Sequence, residues 1–224
     1  MLPWVELGTA KVPGGGGELR LMQRGTEFWI MTGTIALMTS RMSGSEEALA
    51  TLSAARLSGR RAPHLLIGGL GMGFTLRAAL AAFGKDARIT IAELVPEIVD
   101  WARGPLAPIF AGSLDDPRVE IEIDDVAALI GGARGAYDAI LLDVDNGPDG
   151  LSRKANDRLY AATGLAAAKA ALRPGGLLAV WSSGRDEAFT RRLKTAGFAT
   201  EEVPVRERHG NKGARHMIWL ATRG

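Results

Sequence analysis

Acidic side chains follow three predicted strands of the sequence, at the points where those strands end. Glu93 closes one run, Asp125 follows the next, and Asp143 closes a third run that is nearly all apolar. Carboxylates accept hydrogen bonds from hydroxyl and amino groups, and they take up protons during reactions. Because the carboxyl ends of parallel strands meet at one edge of a sheet, the three acids predict a ligand site at that edge.

Each acid has a plainer interpretation beside the chemical one. Glu93 stands twenty residues after Gly73, a spacing that suits acceptance of both hydroxyls of a ribose, and the alternative is a cap on the next helix. Asp125 either accepts from an adenine amino group or caps a helix that begins at 126. Asp143 ends a buried strand, where an unpaired charge is costly, so a functional role is favoured. Asp145 follows in a loop where acidic residues also form turns.

A glycine-dense turn precedes these acids in the chain. Residues 64–80 predict a buried strand, then a turn, then a helix that begins near Gly73. Gly69, Gly71 and Gly73 permit positive φ and a close approach of the backbone to a ligand. The helix N-terminus favours a partner with negative or lone-pair character. The alternative is a tight turn between strand and helix that binds no ligand.

Strands and helices alternate from His64 to the end, which is typical of a mainly parallel sheet in an α/β fold. The two last strands are close enough to form an antiparallel hairpin. The predicted strands are 64–68, 87–94, 118–123, 137–144, the run after Pro174-Gly175-Gly176 and the two last runs, and the predicted helices are 73–83, 96–103, a short helix from 126, 157–172 and 185–196.

Residues 1 to 40 predict a small antiparallel sheet of three short runs separated by two turns. Such a sheet is too small to be stable alone, so we expect it to pack on the main domain or on a second subunit. Ser43 and Glu46 have the spacing of a capping box at the start of an amphipathic helix. We therefore predict an appendage over 1–58 and a main domain over 59–224, with homodimerisation through the appendage as a hypothesis.

Composition limits the classes of function. The chain has no cysteine, three well-separated histidines and a formal net charge of +2. These features exclude disulfides and thiolate sites, favour a cytoplasmic protein and do not indicate bulk nucleic-acid binding. No apolar run approaches the roughly 18 residues of a membrane span, and the first residues do not resemble a signal peptide.

The loop 206–215 is basic. Its default interpretation is a solvated hairpin tip. If the strand before it runs parallel to the rest of the sheet, the loop emerges on the ligand side, where it would suit an anionic acceptor.

Taken together, these segments resemble the spermidine-synthase-like branch of the S-adenosylmethionine-dependent methyltransferase superfamily, over roughly 18–182. The matching stretches are LLIGGLGMGFTLRAAL, ITIAELVPEIVDWAR, DDPRVEIEIDD, YDAILLDV and LRPGGLLAVWSS. The resemblance implies a Rossmann-like class I methyltransferase fold. That fold is doubly wound, with a mostly parallel seven-stranded sheet, an antiparallel last strand and, in this branch, a small N-terminal antiparallel β appendage.

The resemblance also implies roles for individual residues. Gly69, Gly71 and Gly73 would lie against the methionine-like part of the donor, which is S-adenosylmethionine or its decarboxylated form. Glu93 would bind the ribose hydroxyls and Asp125 the adenine. Asp143 matches an aspartate that helps to deprotonate and orient the attacking amine in aminopropyltransferases.

The chain departs from that branch in two places. Asp143-Val-Asp145-Asn146 stands where the branch has Asp-Ser/Thr-x-Asp, and the helix after the appendage reads SEEALATL, without the usual Tyr-His-Glu run. The first prediction is therefore methyl transfer to a small acceptor, with Asp143 or Asp145 taking the proton of the nucleophile. Aminopropyl transfer to an amine is the alternative, followed by a catalytically silent nucleoside-binding protein and a nicotinamide-dependent oxidoreductase.

Overall fold

The computed structural model describes residues 2–144, 157–208 and 212–224. Two β-sheets and eight α-helices lie within these ranges. The strands of the first sheet are β1 (Val5–Lys11), β2 (Glu18–Arg24), β3 (Glu27–Thr32) and β4 (Ile35–Thr39). Those of the second are β5 (His64–Gly68), β6 (Arg88–Glu93), β7 (Val119–Ile123), β8 (Tyr137–Leu142), β9 (Leu172–Ser182), β10 (Phe198–Arg208) and β11 (Lys212–Arg223). The helices are α1 (Gly44–Arg56), α2 (Phe74–Ala82), α3 (Pro96–Arg103), α4 (Ala107–Phe110), α5 (Val126–Gly132), α6 (Asp157–Tyr160), α7 (Ala162–Ala171) and α8 (Glu187–Thr195).

The seven-stranded sheet has the order β10-β11-β9-β8-β5-β6-β7. Strands β9, β8, β5, β6 and β7 are mutually parallel, whereas β11 runs antiparallel to both of its neighbours. The chain therefore winds outward from β5 in both directions, and a crevice opens where β5 and β8 end side by side. This arrangement confirms the predicted doubly wound fold with an antiparallel last strand.

Alternating side chains of the buried strands divide the core into two layers. In β5, Leu65 and Ile67 pack with α1, α2 and α3, whereas Leu66 packs on the opposite face with α5, α7 and α8. All of β8 is buried, as a strand covered on both faces must be. The two layers hold the strand ends in fixed positions relative to one another.

The N-terminal sheet has four strands in the order β1-β2-β3-β4, and the sequence predicted only three. The missed strand β1 has an irregular register between Glu6 and Gly8. A Cβ on Gly8 would lie 2.9 Å from the indole nitrogen of Trp101, so the glycine allows β1 to pack closely on α3. The small sheet thus packs on the main domain, while the boundary at 58 stays a prediction.

Two local predictions were wrong. Ser43 precedes α1 but makes no side-chain cap, so the capping box with Glu46 does not form. The helix predicted over 157–172 is two helices that break at Ala161, which has an extended backbone. A Cβ on Gly164 would lie 2.5 Å from the carbonyl oxygen of Leu159, so the glycine lets α7 turn close against α6.

Within the described ranges, none of the helices combines the length and the apolar character that crossing a lipid bilayer would require.

Candidate functional site

Main-chain hydrogen bonds join the ends of three strands at the crevice. The N–H of Gly69 donates to the carbonyl of Ala92 over 2.9 Å, and the N–H of Asp143 donates to Gly68 over 3.1 Å. Gly69 has a φ of +89°, and a Cβ there would lie 2.6 Å from the carbonyl oxygen of Asp143. The turn after β5 therefore requires glycine at this position.

The other two predicted turn glycines pack against the protein itself. Gly73 has a φ of +75° and precedes the first residue of α2, and a Cβ there would overlap the ring of Phe110. At Gly71 a Cβ would lie 2.6 Å from the sulfur of Met38 in β4. The glycines thus close the turn tightly on its neighbours, and their contact with a donor stays a prediction.

Glu93 is buried at the end of β6, and its carboxylate is held by the main chain. The N–H of Leu70 donates to Oε2 over 2.9 Å, and the N–H of Val95 donates to Oε1 over 2.9 Å. Burial raises the pKa of Glu93, and hydrogen bonds from the backbone work against that shift. The carboxylate spans the glycine turn and the start of α3, where backbone N–H groups of Leu70, Gly71, Leu94 and Val95 stabilise its charged form.

Asp125 is exposed and caps α5. Its Oδ1 accepts from the N–H of Ala127 over 2.8 Å. The structure shows the helix cap, which is one of the two interpretations of Asp125 that the sequence allowed. The role toward adenine stays a prediction.

Asp143 follows β8 directly, and its closest polar partner is a hydroxyl. Thr75 Oγ1 donates to Asp143 Oδ2 over 2.6 Å, from the first turn of α2. Burial raises the pKa of Asp143 to about 6, although the hydrogen bond from Thr75 lowers it. No ion pair from the described residues reaches this carboxyl group. The group is therefore poised to exchange a proton near neutral pH.

Glu46 on α1 is a second carboxyl group of the same site, and the sequence analysis placed it in a helix cap instead. Burial raises the pKa of Glu46 to about 7, and repulsion from Asp143 adds to that shift. Thr75 joins the two, since its hydroxyl lies 3.2 Å from the carbonyl oxygen of Glu46. Repulsion between the two acids disfavours the state in which both are ionised.

Hydrogen bonds connect Glu46 to Ser45 and Ser45 to His216. The hydroxyl of Ser45 donates to Glu46 Oε2 over 2.7 Å, and Nδ1 of His216 lies 2.9 Å from the same hydroxyl oxygen. Sequence reasoning did not find this contact, because 171 positions separate the two residues. A signal for Glu46 was present, since it lies in the helix segment where the resembled family has its Tyr-His-Glu run.

The hairpin of β10 and β11 reaches the same edge of the sheet. β10 runs antiparallel to β11 and hence parallel to β9, which is the condition for its basic loop to emerge on the ligand side. The main chain of Arg206 and Glu207 packs against the start of α1, where a Cβ on Gly44 would lie 3.0 Å from the carbonyl oxygen of Arg206. The predicted Asp145 lies outside the described residues, as do positions 209–211 of the loop.

A groove of 680 Å³ lies between α7 and α8, and none of the predicted site residues lines it. Its cations have other partners: Lys169 donates to the carbonyl oxygens of Ala196 and Gly197, and Arg192 pairs with Asp186. We therefore place the candidate site at the strand ends and not in this groove.

Comparison with known proteins places the chain among relatives that are much longer. A polyamine aminopropyltransferase of Mycobacterium tuberculosis is 36% identical over 150 residues, which is 63% of this chain and 28% of the relative. Putrescine N-methyltransferase 1 of Nicotiana tabacum is 36% identical over 115 residues, which is 51% of this chain and 28% of that protein. The matched segment thus spans less than a third of either relative. No protein-family model matches the chain.

Solved structures match nearly the whole chain. The crystal structure of spermidine synthase from Thermotoga maritima has a TM-score of 0.75 and 17% sequence identity, and the match covers 98% of this chain and 73% of that one. At this identity the match establishes the fold. Together with the sequence similarity, it confirms the predicted resemblance: the chain is similar to polyamine aminopropyltransferases over 63% of its length, and it has the fold of spermidine synthase.

Proposed function

We propose that this protein transfers an alkyl group from an S-adenosylmethionine-type donor to the amine of a small acceptor. The observation that carries the proposal is Asp143, a partly buried carboxyl group that accepts from Thr75 at the end of the central strand, beside the glycine turn. A carboxyl group whose pKa is raised to about 6 suits the uptake of a proton from a nucleophile near neutral pH.

The residues around the turn fit the donor. Glu93 would accept from the ribose hydroxyls, because its carboxylate lies at the end of β6 beside the glycine turn. Asp125 would accept from the adenine amino group, and Gly69, Gly71 and Gly73 would lie along the methionine-like part. The sulfonium of a bound donor makes its attached carbon electrophilic. The work of the protein is then to hold the amine in line with that carbon and to accept its proton.

Methyl transfer and aminopropyl transfer are the two forms of this proposal. Methyl transfer is the first, because the helix of Glu46 lacks the Tyr-His-Glu run of aminopropyltransferases and a relative with similar identity is a putrescine N-methyltransferase. Aminopropyl transfer is supported by the relatives named polyamine aminopropyltransferase, whose matches extend over more of the chain.

Calorimetric titration with S-adenosylmethionine and, separately, with its decarboxylated form tests both forms. If methyl transfer is correct, the intact donor binds more tightly, because the site recognises its carboxylate. Product analysis with putrescine then shows a methylated amine. Preference for the decarboxylated donor together with an aminopropyl product supports the alternative.

Two outcomes would overturn the proposal. Binding of neither donor would leave only the fold, and donor binding without product from any amine would indicate a nucleoside-binding protein without chemistry. Alanine in place of Glu93 and alanine in place of Asp125 should each weaken donor binding. Both residues are proposed to bind the donor, but only Glu93 is buried.

Homodimerisation through the small sheet belongs to the same proposal. Val5 in β1 is 53% exposed and Ile35 in β4 is 62% exposed, and both lie on edge strands of that sheet. Apolar residues on unpaired edges favour contact with another chain. Sedimentation as a monomer at high protein concentration would contradict this part.

A further inference from the structure

The hydroxyl of Thr75 joins three elements at the crevice. Thr75 is the second residue of α2, and it is 3% exposed. Its Oγ1 lies 2.6 Å from Oδ2 of Asp143, which follows β8, and 3.2 Å from the main-chain carbonyl oxygen of Glu46 in α1. Because a hydroxyl has one proton to donate, the two oxygens compete for it.

Distance and charge assign this proton to the aspartate when its carboxyl group is ionised. Hydrogen bonds from a hydroxyl to a carboxylate are roughly 2.5–2.7 Å long and stronger than bonds between neutral groups. The distance of 2.6 Å between Thr75 and Asp143 fits such a bond, whereas 3.2 Å to the carbonyl oxygen of Glu46 is a weaker contact. When Asp143 takes up a proton, the Thr75 hydroxyl can donate to that carbonyl oxygen instead.

Two contacts hold Asp143 in place. Its N–H donates to the carbonyl oxygen of Gly68 over 3.1 Å, which ties its main chain to β5. Thr75 holds the side chain at Oδ2. Within the described ranges, no donor forms a hydrogen bond to Oδ1. Since Asp143 is only partly buried, Oδ1 is the oxygen that a ligand can use.

The charged groups around Asp143 do not supply this hold. No cation among the described residues pairs with its carboxyl group, and Glu46 on the neighbouring α1 repels it. Glu207 on β10 is also acidic, and it acts on Glu46. Burial raises the pKa of Asp143, and the hydrogen bond from Thr75 is the contact that lowers it. The orientation of the carboxyl group and its charge both depend on this one hydroxyl.

We propose that Thr75 is a positioning residue for Asp143: its hydroxyl occupies Oδ2 and thereby leaves Oδ1 to take the proton of the nucleophile. This inference rests on the proposed function. In the transfer, the lone pair of the nucleophile forms the bond to the donor carbon, and the carbon–sulfur bond breaks with its electrons on sulfur. The proton of the nucleophile passes to Oδ1 of Asp143, and Oδ2 keeps its contact with Thr75.

The test compares T75V with T75S. Valine has the shape of threonine without the hydroxyl, whereas serine keeps the hydroxyl. T75V removes the contact that lowers the pKa of Asp143, so the acidic limb of the kcat profile should move to higher pH. We expect kcat of T75V to be about tenfold below that of the wild type at pH 7 and close to it at pH 9, with KM for the donor unchanged. T75S should keep the wild-type profile.

T190V is the matched control. The hydroxyl of Thr190 on α8 also contacts a carboxylate, Oε1 of Glu202 on β10, over 2.7 Å, but this pair lies outside the candidate site. We expect T190V to lose stability while its ratio of kcat between pH 7 and pH 9 stays that of the wild type. A wild-type ratio in T75V as well would overturn the positioning role.

Urea denaturation gives a readout that needs neither donor nor acceptor. The pKa of Asp143 is about 6, so the group is mostly protonated at pH 5 and ionised at pH 8. Because a hydrogen bond to a carboxylate is stronger than one to a neutral carboxyl group, T75V should lower the urea midpoint more at pH 8 than at pH 5. In the D143N background, the loss caused by T75V should be equal at both pH values, since residue 143 no longer ionises.

The denaturation experiment separates this inference from the proposed function. Equal losses at pH 5 and pH 8 in T75V, or a pH-dependent loss that persists in the D143N background, would overturn the positioning role. The expected denaturation pattern without any product from putrescine and either S-adenosylmethionine or its decarboxylated form would overturn the proposed function instead.

Discussion

The central strand β8 has an aspartate near each end, and the two have opposite surroundings. Asp138 at the amino end is 2% exposed and pairs with Arg173 over 2.7 Å and with Arg60 over 3.5 Å. It also accepts from the N–H of His64 over 2.9 Å. Asp143 at the carboxyl end has a threonine hydroxyl and a second acid as its neighbours.

The different surroundings suit the two aspartates to different roles: Asp138 stabilises the fold, and Asp143 is suited to proton exchange. A buried carboxylate that two cations and a backbone donor satisfy joins its neighbours, which stabilises the fold. A buried carboxyl group without a cation keeps its proton to higher pH and can give it up when a ligand arrives. Asp138 lies in β8, and Asp143 follows the last residue of the same strand. The contacts of Asp138 at the amino end of β8 therefore help to fix the position of Asp143 at the carboxyl end.

The strongest expected effect comes from D143N. The amide preserves shape and can still bond to Thr75, but it cannot take up a proton. We expect turnover to fall by about 10²–10⁴-fold while donor affinity is retained, which calorimetry and product analysis measure together. Unchanged turnover would remove Asp143 from the chemistry.

Next in size is D138A, which tests the other end of the strand. The variant leaves the His64 N–H without its acceptor and breaks two ion pairs, so we expect the free energy of unfolding to fall by about 3 kcal/mol in urea denaturation. D138N keeps an acceptor for that N–H and should lose less. If D138A were as stable as the wild type, the structural half of the comparison would be wrong.

E46Q sharpens the comparison through the pH dependence of stability. An acid whose folded pKa is raised contributes stability that is full below its unfolded value and is lost as pH rises through the folded value, which is about 7 for Glu46. Because glutamine does not ionise, we expect E46Q to be more stable than the wild type by roughly 1–3 kcal/mol at pH 8 and equal to it at pH 4. Chemical denaturation at both pH values measures this.

The smallest expected effect belongs to D125A. Loss of the cap on α5 should lower the free energy of unfolding by about 1 kcal/mol, because one backbone N–H loses its acceptor. D125N keeps the cap and should retain the stability. A loss as large as that of D138A would show that this exposed acid holds more of the fold than its single bond explains.

The ends of the strands could be predicted from the sequence, because runs of apolar residues and turn glycines mark them locally. The apolar run before Asp143 and the glycines after β5 placed both groups at the crevice, and β6 ends at Glu93 as the sequence indicated. β1 was missed, because its buried and exposed residues do not alternate, and its place in the sheet comes from pairing with β2 and from the close approach of Gly8 to Trp101.

The partners of Asp143 could not be predicted in this way. Glu46 has the spacing of a helix cap relative to Ser43, and only the packing of α1 against α2 turns its carboxyl group toward the strand end. His216 meets Ser45 because β11 enters the sheet beside β9, which no local pattern specifies. Contacts between segments that are distant in the sequence therefore bring Ser45, Glu46 and His216 together.

The close fit of Gly69 against the carbonyl oxygen of Asp143 has a consequence for how this site can change. A side chain at position 69 would displace the backbone of Asp143, so substitutions there would disturb the turn itself. Under the proposed function, a change of acceptor would then come from side chains of α1 and β11 and not from this turn. Libraries randomised at positions 45, 46 and 216 would therefore explore acceptor preference while the turn after β5 stays the same.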